Sequence, residues 1–351
     1  MAVNSWLFDL RGEIPKKYKL ILVAGGLLVF LGIWSLLTSG SSPLVPPGIL
    51  PNPLKVFNSF GELISENDLI RNTLSSYALN LGGYFKALLW SIPIGFLIGL
   101  IPLFRGSMLQ LINALRFIPL TAVTSLFIVW FGIYTPMKMN FLAFGIIIYL
   151  LPTIIQRIDE VEDVFLTAVH TLCANTWQTI TTVYFPAVMS KLSDDIRVLT
   201  AISWTYIIVI ENIGGEGGIG FLLYGPTARQ ARVDKLFALL ILIMVIGILQ
   251  DRFFAFLDKK FFPHKYQTKD PNSGKIIEDN AMKVILDYVF LVFGYAILGV
   301  YVLLALNELV GFLGDLKPLD HVFGDRVWAI HLFFGLILFY IARNLFKKIK
   351  S

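Results

Sequence analysis

The residues of this chain best placed to do chemistry are ionisable and glycine residues set in or beside apolar sequence. Arg116 lies inside an apolar run at 109–131, and Glu211 follows directly on another at 198–210. A charge in hydrocarbon is costly and tends to face a cavity or an opposite charge. On a translocation path Arg116 would suit an anion; the competing reading is snorkelling toward the headgroups. Glu211 is read either as interfacial or as part of the same path. Gly217, Gly218 and Gly220 follow in a stretch that formally matches G-x-G-x-x-G. A dinucleotide loop needs a preceding strand, and here an apolar span precedes it. A re-entrant turn buried in protein or lining a cavity fits these glycines better. Covalent and metal chemistry have little support. Cys173 is the sole cysteine, and the four histidines show neither H-x-x-x-H nor H-E-x-x-H spacing. No G-x-x-x-x-G-K-[ST] sequence is present to cradle ATP.

The elements that must position these residues follow from composition. The 351 residues are 56% hydrophobic and 15% charged, with mean hydropathy +0.73; soluble domains average about 25% charged. Apolar runs near span length predict an all-α membrane protein, and their continuity argues against a β-barrel. Eight spans are expected, near 20–37, 75–103, 109–131, 141–155, 198–210, 236–256, 284–306 and 327–342. Residues 38–53 read as loop and Arg105-Gly106 as a tight turn. Residues 54–70 place Phe57, Phe60, Leu63 and Ile64 on one face of an amphipathic surface helix. Lys86 reads as an outer-interface residue. No cleavable signal is evident ahead of the first span. With both termini cytoplasmic, inside segments carry more than twice the Lys and Arg of outside segments. The net charge of +5 is assigned to those segments rather than to nucleic acid.

Between the fourth and fifth spans runs DEVEDVFLTAVHTLCANTWQTITTVYFP, residues 159–186. Val161, Val164, Phe165, Ala168 and Leu172 recur at helical spacing. Asp159 and Glu162 have capping-box spacing, and acids crowd the first turn. An amphipathic helix over 159–177 is expected, on the cytoplasmic side by the charge bias. Trp177 is either a contact anchor or a membrane-interface residue.

These residues carry a resemblance. Thr167-Ala168-Val169, Cys173, then Val183, Phe185 and Pro186 stand at the spacing of E-A-A-x3-G-x9-I-x-L-P, with Ala168 and Pro186 kept in identity. Leu172 to Gln178 resembles L-G-A-S-x-W-Q, with Cys173 for glycine. Leu50-Pro51-Asn52-Pro53 resembles L-P-S-P. Leu115 to Leu120 with Leu126 to Gly132 resembles L-R-P-I-P-P … L-F-I-L-W-F-G. Glu211 with Gly217 to Gly220 resembles A-E-M … S-G-L-G-Y. Together, over about 50–262, they resemble the permease subunit of ABC importers of the nitrate, sulfonate and taurine type; 264–351 matches nothing in that pattern.

The resemblance implies a six-span type I permease core with two additional C-terminal transmembrane helices, in a bacterial inner membrane. It implies separate ABC ATPase subunits that use ATP, an extracytoplasmic solute-binding protein and a second permease chain. The chain itself would bind no cofactor. Phe165, Thr167, Ala168, Leu172, Cys173, Ala174, Trp177 and Pro186 would couple to the ATPase. Arg116, Glu211, Gly217, Gly218 and Gly220 would line or gate the path. The expected organisation is a cytoplasmic N-terminus (1–19), a permease domain (20–262), a cytoplasmic linker (263–283) and a two-span segment (284–346). Two other readings stay open. An ion-driven transporter would show paired broken helices, and the sequence offers one glycine-broken segment. A non-transporting scaffold would keep ATPase contact without substrate-dependent hydrolysis.

Overall fold

The computed structural model describes residues 12, 14–40, 42–266, 281–311 and 317–350. Among them all regular structure is helical. In chain order the helices are α1 (Lys16–Thr38), α2 (Pro53–Glu66), α3 (Leu69–Leu100), α4 (Pro102–Leu115), α5 (Leu120–Phe131), α6 (Thr135–Asp159), α7 (Asp163–Thr171) and α8 (Thr176–Thr179). They continue as α9 (Phe185–Glu211), α10 (Ile219–Leu222), α11 (Val233–Phe261), α12 (Ala281–Val310), α13 (Pro318–Phe323) and α14 (Val327–Lys350).

The chain divides into two compact units. The first is Met1–Asp68 with Gly225–Ile241. In it α1 exposes Leu22, Val23, Leu27 and Phe30, as a helix in lipid does. Trp34 donates from Nε1 to the Pro51 carbonyl at 2.9 Å. Asn52 caps α2 by accepting from the Leu54 N–H, with Pro53 in the first turn. The amphipathic helix expected at 54–70 forms as α2. Val56, Ser59 and Leu63 are buried, while Phe57 and Ile64 are exposed. Polar pairs hold its buried side. Ser59 donates to Asp234 at 2.9 Å, Arg232 pairs with Glu62 at 2.7 Å, and Lys235 with Glu66 at 2.9 Å.

The second unit is Leu69–Tyr224 with Leu242–Ser351. Its spine is α3 against α6. A Cβ on Gly83, Gly95 or Gly99 would come within 2.5, 2.7 and 2.5 Å of Leu142, Ile154 and Ile158, so the glycines let these backbones approach closely. The C-terminal helices lie on α3, where Ala78 and Leu81 share a buried cluster with Leu298, Tyr301, Leu319, Ala329 and Ile330.

Among the described residues five helices are long and apolar enough to cross a membrane, or six if α4 and α5 form one span. Those two are bent by 105°, so the continuous third span expected at 109–131 is broken. Pro119 lacks an N–H and disfavours helical backbone at Ile118. The polar half of α9 carries Lys191, Asp194, Asp195 and Arg197, and among the described residues α12 contributes the apolar stretch Gly294–Val310. Arg105 and Gly106 are helical. The break lies at Ile101, whose extended backbone precedes Pro102. Lys86, read from the sequence as an outer-interface residue, sits midway along α3 and donates to Asn140 at 3.0 Å. Of the linker expected at 263–283, residues 267–280 lie outside the described residues.

Candidate functional site

Glu211 is the last residue of α9 and is fully buried. Its carboxylate accepts from the Ser76 hydroxyl at 2.7 and 2.8 Å and from the Gly220 N–H at 3.0 Å. Ser76 accepts in turn from the Ile219 N–H at 2.9 Å, and Asn72 from the Gly218 N–H at 2.6 Å. The start of α10 is thus held on the side chains of α3 and on Glu211. Gly217 and Gly218 have φ of +87° and +111°. At Gly218 a side chain would also overlap the Glu211 carboxyl group. Glycine is required there by backbone and by space.

Cations complete the constellation. Lys138 in α6 is fully buried, with Nζ 3.0 Å from Glu216 Oε2. Thr135 donates to the same oxygen at 3.2 Å. Arg326, just ahead of α14, donates to the Ser75 hydroxyl and lies 3.9 Å from Glu216. Buried Glu211, Lys138 and Arg326 therefore gather beside Glu216, which keeps part of its surface exposed. Such charges persist only when paired. The arrangement fixes a glycine-rich segment across α3 and α6. Among the described residues no group of His, Cys, Asp and Glu side chains could hold a metal ion.

Arg116 is not part of this constellation. It caps α4 at the bend, is exposed, and donates to Asn113 at 2.9 Å. Sequence reasoning missed Ser76, Lys138, Glu216 and Arg326. Lys138 directly precedes the apolar run at 141–155, and that position was its available signal.

The second constellation is 160–186. The helix expected at 159–177 is two helices. Asp159 ends α6 and takes Arg105 Nη2 at 2.6 Å, so Glu162 rather than Asp159 occupies the cap of α7. A capping box does form, further on: Asn175 accepts from the Gln178 N–H, and the Gln178 side chain accepts from the Asn175 N–H, both at 2.8 Å. Between the helices the Ala174 N–H donates to Val169 at 3.1 Å and the Cys173 N–H to His170 at 3.0 Å. That pair of bonds is a Schellman motif, which places the residue after the cap in the left-handed region. Cys173 is that residue, with φ +55°. A cysteine therefore holds, at a cost, the conformation that glycine adopts freely. Cys173→Gly is expected to stabilise the α7 terminus by about 1 kcal/mol. Amide exchange over 169–176, slowed several-fold, is the check.

No residue of α7 is buried. Phe165, Thr167, Ala168, Leu172, Trp177 and Pro186 are all exposed, and Ala174 is half-buried. Ion pairs hold this apolar face out. Arg157 reaches Glu160 and Asp195 at 2.7 Å each, and Lys191 reaches Glu160 at 3.2 Å. The Arg157 hydrogen bond holds the Glu160 carboxyl below its ordinary value of 4.5. A depressed acid stabilises fully above its unfolded value and loses that contribution as pH falls through the native one. Amide protection at the α6–α7 junction is expected to stay constant from about pH 8 to about pH 5 and to fall only below the ordinary carboxylate range.

Residues 91–263 match the family described as the binding-protein-dependent transport system inner membrane component. Among similar proteins is one of Bacillus subtilis named as an aliphatic sulfonates transport permease, 29% identical over 66% of this chain and 83% of that protein. The taurine transport system permease TauC of Escherichia coli is 24% identical over 72% of this chain and 93% of its own length. The nitrate import permease NrtB of a Synechocystis strain is 24% identical over 70% and 90%.

Proposed function

We propose, from the premise that this chain belongs to the binding-protein-dependent transport inner membrane components, that it is the membrane-spanning subunit of an ATP-driven importer. Its solute is a small anion of the sulfonate, taurine or nitrate kind, the substrates named for its relatives. ATP is bound and hydrolysed on separate ATPase chains, and a solute-binding protein delivers substrate on the outer face. Two copies of this chain enclose the path, and both termini are cytoplasmic. Residues 20–262 form the permease domain, 263–283 link it to the rest, and 284–346 add two spans.

The observation that carries this reading is the exposed apolar face of α7 and α8. A membrane protein that holds an apolar surface outside its own core on ion pairs has a surface suited to a partner. Phe165, Thr167, Ala168, Leu172, Cys173, Ala174, Trp177 and Pro186 form the coupling surface in this reading. Glu211 with Gly217, Gly218 and Gly220 forms the outer gate, and Arg116 at the α4–α5 bend faces the path. The test is co-purification of the detergent-solubilised chain, with mass spectrometry of what comes with it. An ABC ATPase in stoichiometric amount is expected. A folded sample that brings none would overturn the reading.

A further inference from the structure

The permease reading gives the C-terminal helices no task, yet Arg326 reaches the buried constellation. It is 3% exposed. It donates to Ser75 on α3 and stands 3.9 Å from Glu216, which also takes Lys138 at 3.0 Å. Packing fixes it from its own side: Leu319 before it and Ala329 and Ile330 after it are buried against Ala78 and Leu81. A buried guanidinium is tolerated only where its partners are fixed, and here they bridge α3 and the glycine-rich segment. Lys138 and Thr135 tie Glu216 to α6; Arg326 adds the tie to α3.

We propose that Arg326 is a positioning residue that sets the glycine-rich segment 212–218 through Glu216 and Ser75. The appended helices are then a working part of that segment rather than a docking module beside the core. The consequence for gating rests on the importer reading; the positioning itself does not.

Hydrogen exchange on the full chain in nanodiscs tests it. Arg326→Ala is expected to speed exchange at 212–222 about tenfold, with α6 unchanged, and Arg326→Lys to restore most of the protection. Unchanged exchange at 212–222 would overturn the proposal. If Arg326→Ala loosens the whole fold, Ser75→Ala removes the α3 anchor alone; a threefold acceleration confined to 212–222 is expected, and none would overturn the proposal. In the complex reconstituted with its ATPase and binding protein, Arg326→Ala should also uncouple ATP hydrolysis from substrate. A loosened segment with coupling intact would uphold the positioning and defeat the gate.

Discussion

Replacing Phe165 and Trp177 together with alanine is expected to weaken binding of the proposed ATPase partner at least 100-fold and to leave the fold of the chain unchanged. Trp177 is 71% exposed and Phe165 54%, so neither supports the chain's own core. An aromatic anchor at the centre of an interface contributes about 2 kcal/mol or more, and two contribute about 3–4 kcal/mol even with incomplete additivity. That is a factor of several hundred in affinity at about 1.4 kcal/mol per tenfold. The ion pairs of Arg157 remain, so α7 keeps its place and the loss is one of contact. Titration of the purified ATPase against wild type and the double variant measures the ratio; a ratio below about tenfold would remove α7–α8 as the principal contact.

Gly218→Ala is expected to destabilise the protein by about 3–5 kcal/mol and to abolish transport. Two costs add. At φ +111° and ψ 167° the backbone occupies a region essentially confined to glycine, worth about 1–3 kcal/mol. The new methyl also overlaps the Glu211 carboxyl group. That group cannot swing aside without breaking its bonds to Ser76 and Gly220, and overpacking costs about 1–3 kcal/mol more. Gly215→Ala is the matched comparison. Gly215 has φ +66°, and the nearest atom to an added Cβ is 4.0 Å away. It incurs only left-handed strain of about 1–2 kcal/mol. Thermal unfolding of the two variants in one detergent measures the difference. Equal shifts would mean that Glu211 does not constrain the loop.

The parts of this structure that were legible in the sequence are those written in local pattern. Val164, Phe165, Ala168 and Leu172 announce α7 because an apolar stripe repeats at helical spacing. Its start was misplaced because Asp159 has a partner, Arg105, 54 residues away, and continues α6 instead of capping a new helix. The break at Arg116–Pro119 was hidden because hydropathy stays high across a proline bend. It changes the weighing of alternatives, since two interrupted apolar segments are now present where the sequence suggested one, and paired broken helices suit ion-driven transporters. The buried charges were illegible for another reason. Thr135 and Glu216 are 81 positions apart and Ser75 and Arg326 are 251 apart, so no window of sequence contains both members of either contact. At Cys173 the resembling pattern has glycine, and a cysteine there implied a negative φ or shifted packing; the φ of +55° is instead the conformation glycine adopts freely.

In the proposed reading, ATP hydrolysed on a separate subunit drives import through this chain. Uptake of radiolabelled taurine into proteoliposomes holding the chain and its co-purified ATPase tests it most directly, with an alkanesulfonate and nitrate run in parallel. ATP is enclosed in the lumen or left out, and the binding protein is added outside or withheld. Uptake of at least one of the three anions only when both are present, unaffected by collapsing the proton and sodium gradients, is the predicted result. Uptake that proceeds without ATP and stops when an ion gradient is collapsed would make the chain an ion-driven transporter instead.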